Sequence, residues 1–339
     1  MTKDDRIRLA HGSGGALMHE LIKELIVGKL ANPALSELDD AAELTGALGP
    51  GEHRLAITTD SYVVQPLFFP GGDIGKLSVC GTVNDLAMKG ATPVCLTLGL
   101  IIEEGLALSD LGRVLDSIAS TAERAGVFVA AGDTKVVERG AAGGLMINTA
   151  GLGRIREGVE LAGDRASPGD SVLVSGTMGD HETAILVARE QLKLEEEIRS
   201  DCAPLNELAE ALLSRCPGVR VLRDPTRGGL GTTLNEIAER SGVSITLDEE
   251  SIPIDPRVAS VCEILGFDPI YMANEGKLIA VVPSEEATRA LAAMKEHPLG
   301  RNAGIIGTVD RGAGVRLRTR VGGLRPVLML EGVQLPRIC

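Results

Sequence analysis

The sequence contains no tryptophan, and only two tyrosines and four phenylalanines among 339 residues. Cores built from it must be aliphatic, assembled from Leu, Ile, Val and Ala, in keeping with an apolar content of 44%. No stretch approaches twenty consecutive apolar residues, and no apolar N-terminal run of the export type is present, so the expectation is a cytoplasmic chain with no membrane span. Basic residues are the minority: 34 Lys and Arg stand against 47 Asp and Glu, a formal charge of -13. This argues against nucleic acid or an anionic membrane as the main partner, since both reward clustered cations. A small ligand is the better fit.

Paired cysteines are also lacking. Cys80, Cys95, Cys202, Cys216, Cys262 and Cys339 form no CxxC pair, and in a long chain they read as reduced thiols rather than a disulfide frame or zinc site. Five sit in apolar or helical contexts, as small core residues do. Cys339 ends the chain, in "LPRIC", and carries both a thiol and the α-carboxylate. A prenylation box would place the cysteine four positions from the end, so that role is excluded. A terminal thiol is open to oxidation and chance disulfides unless something uses it.

What the chain does have is length and alternation. Its 339 residues favour two domains over one. Residues 54–64 are β-branched and read as a strand ending in Thr59, Asp60 and Ser61. Residues 71–91 read as a helix stopped by Gly90, 94–102 as a strand, 108–126 as an amphipathic helix ending on a glycine, and 145–153 as a strand. A polar stretch at 157–170, with Pro168 and Gly169, marks a domain junction. Strands at 171–176, 277–282 and 314–320, with helices between, make a second mixed unit, so the residues read as α/β or α+β. The expected division is 1–156, 157–331 and a mobile tail at 332–339. Fully extended, eight residues span roughly 25 Å, enough to reach from a surface into a pocket.

Acidic residues recur near element ends: Asp40, Asp60, Asp85 beside Asn84, Asp133 and Asp224. Any one of them has an ordinary reading as a cap or turn residue. Together, without obvious basic partners, they suggest a hard divalent cation, and Mg²⁺ held by carboxylates and a ligand's phosphates points to a nucleotide. The glycine stretches "HGSGG" (11–15) and "RGGLG" (227–231) can offer backbone N–H groups to phosphate oxygens, although neither is a Walker A sequence or a dinucleotide fingerprint. Lys135 and Glu275 are conspicuous polar residues beside apolar runs, with a surface lysine and a turn glutamate as their ordinary readings. His181 reads as a cap or packing residue.

Taken together, "HGSGG", "DDAAEL", "TTDSYVVQPLFFPGGDIGKLSVCGTVNDLAMKGATP", "IIEEG", "GDTKVVERG", "INTAGLG", "DPTRGG", "NEGKL" and the terminal "PRIC" resemble the hydrogenase-maturation carbamoyl dehydratases, the HypE family. The likeness runs from His11 to Cys339. It implies the two-domain α+β fold of the aminoimidazole ribonucleotide synthetase-like superfamily, and a homodimer joined through a barrel-like N-terminal interface. It also implies ATP and Mg²⁺ as cofactors. The carbamoyltransferase HypF would load a carbamoyl group onto Cys339, ATP-driven dehydration would convert it to a thiocyanate, and the cyanide would pass to iron on a HypC–HypD complex.

Carried over motif by motif, the resemblance makes Cys339, Glu275 and Lys135 catalytic. Ser13, Gly14, Asn84, Asp133, Thr134, Gly228 and Gly229 would bind nucleotide, and Asp40, Asp60, Asp85 and Asp224 the metal. A selenophosphate synthetase shares the ATP site, but it would want a reactive Cys or selenocysteine near the N-terminal glycine loop, which "HGSGGALMHELI" lacks. A noncatalytic thiol carrier is the other alternative, and it would have no use for a Mg·ATP site.

Overall fold

The computed structural model describes residues 11, 15–30, 32, 34–44, 54–192, 194–330 and 338–339. Ser13 and Gly14 lie outside the described residues, as do Pro336 and Arg337 of the tail.

Strands β1 (Ala42–Leu44), β2 (Leu55–Tyr62), β5 (Ala91–Glu103), β6 (Phe128–Val137) and β7 (Leu145–Ile155) form one sheet in the order β1-β2-β7-β5-β6. The pairings are antiparallel except β5 with β6, which is parallel. The short hairpin β3 (Phe68–Phe69) and β4 (Gly72–Asp73) leads into helix α3 (Ile74–Met88). Before this sheet, α1 (Ala16–Glu20) continues through a π-helical stretch, Leu21–Val27, into α2 (Gly28–Leu30).

α3 is the central helix of the fold. Asp73 caps it by accepting hydrogen bonds from the N–H groups of Gly75 and Lys76, and Gly90, at φ +70°, turns the chain away at its other end. Ile74, Leu77, Val83 and Leu86 are completely buried, but so are Ser78, Thr82 and Asn84. A helix buried on every face must be packed between layers. One side lies on the first sheet, where a Cβ at Gly81 would stand 2.3 Å from the Tyr62 hydroxyl. α4 (Leu108–Ala125) is amphipathic, packs on α3, and closes with Gly126 in the left-handed region.

The second unit holds a seven-stranded sheet in the order β14-β13-β10-β12-β8-β11-β9. Its strands are β8 (Asp170–Val174), β9 (Val221–Arg223), β10 (Ser244–Asp248), β11 (Ile279–Pro283), β12 (Gly304–Asp310), β13 (Gly314–Arg318) and β14 (Leu324–Val327). Helices α5 (Asp180–Arg189), α6 (Asn206–Arg215), α7 (Gly229–Ser241), α8 (Pro256–Leu265) and α9 (Ser284–Glu296) accompany it. α6 packs on α9 and, across the junction, on α3. The fold is a two-unit α+β architecture. No helix among the described residues is long and apolar enough to cross a membrane.

Candidate functional site

The junction between the two sheets gathers the acidic residues. Asp60 lies in β2, Asp85 in α3, Asp224 just after β9, and Asp40 just before β1. Arg223 holds Asp40 at 2.7 Å and Glu236 at 3.1 Å, and Arg227 stands 3.8 Å from Asp60. Asp85 accepts the Thr58 hydroxyl at 2.7 Å.

All four carboxyls are held above the ordinary carboxylate range. Burial is the first cause each time. For Asp85 the neighbouring Asp224, Asp60 and Asp40 add to it; for Asp40 and Asp60 the guanidiniums of Arg223 and Arg227 oppose it; burial takes Asp224 to about 6 against Arg223. Among the described residues, no three acidic, His or Cys side chains surround one point in a way that could hold a metal ion by themselves.

Beside the cluster opens a cleft of about 1080 Å³, lined by the N-terminal helical segment, the 160–165 loop, Asp224, Thr226, Arg227 and α7. Its lining mixes both signs, with Arg54 on Glu43, Lys89 on Asp39 and Arg240 on Asp39. Gly228 and Gly229 turn the chain from this loop into α7 at φ +81° and +59°. A Cβ on Gly229 would meet the Met272 carbonyl oxygen at 2.6 Å, so the turn presses against the loop that leads to Glu275.

The end of the chain is at the same junction. Ile338 is buried among residues of both units, and Cys339 packs against the same cluster. His181 Nε2 lies 2.8 Å from the Ile338 carbonyl oxygen. Burial pushes the Cys339 thiol up to about 12; Arg227 opposes the rise, while Glu275, Asp60 and Glu182 add to it. Arg227 is thus the cation that balances the terminal thiol.

Glu275 is 3% exposed, and burial followed by its acidic neighbours holds its carboxyl well above the usual range. Its backbone is pinned on both sides. Its N–H donates to Asp201 at 3.1 Å, its carbonyl accepts from Ala203 N–H at 3.3 Å, and Lys277 Nζ ties Asp201 and Asp180 together at 3.1 and 3.2 Å.

Three expected site residues are not brought here within one chain. Asp133, Thr134 and Lys135 lie inside β6, exposed along the edge of the first sheet, rather than in a loop by the cluster. Register runs from Asp60 to Thr149, from Thr149 to Leu98 and from Leu98 to Gly132. Three strand spacings, roughly 14 Å, thus separate β6 from β2. Asn84 does not line the cleft either. Its amide donates to the carbonyls of Ala203 and Glu275 and accepts the Leu205 N–H, so it ties the two units together.

Sequence reasoning passed over Arg227, although it sits inside the quoted "DPTRGG". It read His181 only as a cap or packing residue and passed over the Lys277–Asp201 pair, because the partners are distant in sequence.

The AIR synthase related protein N-terminal domain family matches residues 38–155, and the corresponding C-terminal domain family matches 167–320. The carbamoyl dehydratase HypE of Cupriavidus necator is 51% identical over 99% of this chain and 96% of its own length. That of Escherichia coli is 48% identical over 99% of this chain and 100% of its own. Among solved structures, HypE in complex with ATP matches with a TM-score of 0.82 at 48% identity, covering 97% of this chain and 98% of that one. A HypE–HypF complex matches at 0.87 and 46%, covering 91% and 99%. A thiamine monophosphate kinase relative, AaThiL bound to AMPPCP and TMP, shares the fold at 22% identity, with a TM-score of 0.71 over 93% of this chain and 96% of that one. With two domain families spanning most of its length and relatives near half identity end to end, the chain belongs to the HypE carbamoyl dehydratase family.

Proposed function

We propose that this chain uses ATP to dehydrate a carbamoyl group carried on Cys339, giving a thiocyanate that supplies cyanide for a hydrogenase iron centre. The observation that carries the reading is the seat of the chain's own end. Ile338 is bound at its carbonyl, and Cys339 lies beside Arg227 and Glu275 at the junction that also holds the four carboxyls. A noncatalytic carrier would gain nothing from burying its thiol next to such a cluster.

The chemistry needs two things from the protein. The amide oxygen leaves poorly as hydroxide, so transfer of the γ-phosphoryl group to it creates a phosphate leaving group. Forming the C≡N bond then removes both protons from nitrogen as the C–O bond to phosphate breaks. Phosphoryl transfer rests on positioning and charge neutralisation. Glu275, whose proton affinity burial raises, would take a proton from nitrogen, and Arg227 would steady charge developing on oxygen.

The carboxyls do not form a metal site by themselves, and Mg²⁺ would enter with the nucleotide's phosphates. Asp224, Asp60 and Asp40 raise the proton affinity of Asp85, and a divalent cation would relieve that repulsion. Asp40, Asp60, Asp85 and Asp224 would hold it, with ATP phosphate oxygens completing its shell, and it would neutralise phosphate charge there. The cleft lined by Thr226, Arg227 and, from α7, Thr233 and Glu236 has room for the nucleotide.

HypF is the proposed source of the carbamoyl group and a HypC–HypD complex the acceptor of cyanide. A homodimer is proposed through the first sheet. Phe128, Val136, Val94, Ile101 and Ile57 expose apolar surface there, and the ten-residue strand β6 is an edge strand with no outer partner among the described residues. Pairing with a second copy would cover that edge and bring the partner's strand, with its Asp133-Thr134-Lys135 stretch, toward a cluster that one chain's β6 does not reach.

Cys339→Ala tests the acceptor role. ATP binding by calorimetry should persist while incubation with HypF and carbamoyl phosphate adds no mass to the chain. Carbamoylation of this variant at the wild-type level would overturn the assignment.

A further inference from the structure

His181 is completely buried, with its ring edge-on to Phe69 at 5.5 Å and 84°. Its two nitrogens face different units of hardware. Nδ1 is 2.7 Å from the Ser200 hydroxyl and Nε2 is 2.8 Å from the Ile338 carbonyl oxygen. A carbonyl can only accept, so Nε2 carries the ring hydrogen, and in the neutral ring Nδ1 is then an acceptor for the Ser200 O–H. The Ser200 oxygen in turn accepts the Cys202 N–H at 3.1 Å. The result is one directed chain: Cys202 N–H to Ser200, Ser200 O–H to His181, His181 Nε2–H to Ile338.

The far end of that chain is anchored across the junction. Ser200 N–H donates to the Pro70 carbonyl at 2.8 Å, and a Cβ on Gly71, at φ +96°, would stand 2.5 Å from the Ser200 carbonyl oxygen. Ser200 therefore has little freedom, and the imidazole inherits its orientation. On the other side of the same peptide, the Ile338 side chain is 6% exposed within a cluster that includes Phe69, Ile185 and Ala273.

The geometry points to His181 as a positioning residue that docks the end of the chain. It grips the Ile338 carbonyl while an apolar slot takes the Ile338 side chain, so the residue before the cysteine sets where the sulfur stands. Neither contact involves sulfur, so the hold on Ile338 does not itself depend on what the thiol carries. The inference deepens the reading of Cys339 as the acceptor and rests on it for its purpose, but it can be tested without ATP or any chemistry on carbon.

The test is the rate at which iodoacetamide labels Cys339 in the full-length protein, read by mass spectrometry of the C-terminal peptide. His181→Ala should label about tenfold faster than wild type, the scale of one lost buried hydrogen bond. His181→Gln can still place an N–H near the former Nε2 and should stay close to wild type, whereas His181→Asn reaches Ser200 but not Ile338 and should behave as Ala does. Ile338→Ser should also label faster, by emptying the slot.

If His181 merely supports the fold, the variants will differ in melting temperature while Cys339 labels at the wild-type rate in each, and the proposal fails. Should His181→Ala not fold, the Asn and Gln pair decides, and equal rates for the two overturn it. Labelling that follows the predicted order in a protein unable to dehydrate a carbamoylated tail would uphold the seat and overturn the reaction reading instead.

Discussion

Asn84 Oδ1 accepts the backbone N–H of Leu205 at 2.7 Å, joining the central helix of the first unit to the loop before α6 in the second. The same amide donates to the carbonyls of Ala203 and Glu275 at 3.2 and 3.4 Å, so one buried side chain holds both the interface and the backbone of the proposed base. Replacing it with Ala strands the Leu205 N–H and the Ala203 carbonyl without water. Asn84→Ala should lower the unfolding free energy in urea by about 2–4 kcal/mol, the cost of two unsatisfied buried groups. Dehydration should slow as well, because Glu275 loses part of its support. A folded variant with wild-type stability would show that this tie carries no weight.

Gly81 and Tyr62 make a second test of packing. A Cβ at Gly81 would lie 2.3 Å from the Tyr62 hydroxyl oxygen. Gly81→Ala should cost about 1–3 kcal/mol by overpacking, despite the better helix propensity of alanine. Tyr62→Phe removes the clashing atom, so the double variant should be more stable than the sum of the two single changes predicts. Simple additivity would place the strain elsewhere.

Glu182 gives a pH signature. It is 2% exposed, burial raises its carboxyl to about 7, and the Ala273 N–H and Arg189 only partly oppose that rise. Its folded-state proton affinity exceeds the unfolded one, so its contribution is fully present below about pH 4.5 and is lost as the pH climbs toward 7. Glu182→Gln cannot ionise. Unfolding curves should therefore show the variant gaining on wild type between about pH 4.5 and 7.5, by up to about 3 kcal/mol at the alkaline end. A difference that stays constant with pH would contradict the assignment.

The exposed strand β6 leads to a prediction about assembly. Phe128 and Val136 are 61% and 64% exposed on an edge that has no partner on its outer side among the described residues. Phe128→Asp and Val136→Asp should each shift sedimentation toward the monomer. Loss of activity should accompany dissociation, with ATP-dependent turnover falling at low protein concentration first. A monomeric wild-type protein that turns over at full rate would remove the need for a second copy.

Much of this architecture was legible in the sequence where local chemistry decides. Gly90 and Gly126 stop their helices where the composition placed the stops, and the β-branched run at 55–62 is a strand. β6 was not read as a strand, because "FVAAGDTKVV" is interrupted by Ala, Gly and Asp and takes its form from parallel pairing with β5. Asp40, Asp60, Asp85 and Asp224 stand near one another at the junction, although among the described residues no three acidic side chains form a metal site by themselves. Asn84 and His181 were opaque for a different reason. Their partners are up to 191 residues away, and nothing in the local sequence marks a hydrogen bond to a distant backbone.

The most direct test of the account is an intact-mass time course on the full chain, incubated with HypF, carbamoyl phosphate and ATP, for wild type and Glu275→Gln. The account predicts that wild type first gains a carbamoyl group on Cys339 and then loses the mass of one water. The Gln variant should gain the group, bind ATP and keep the water. Loss of water at the wild-type rate in Glu275→Gln would contradict the assignment of the base, and a carbamoyl adduct that persists in wild type with ATP present would contradict the dehydration itself.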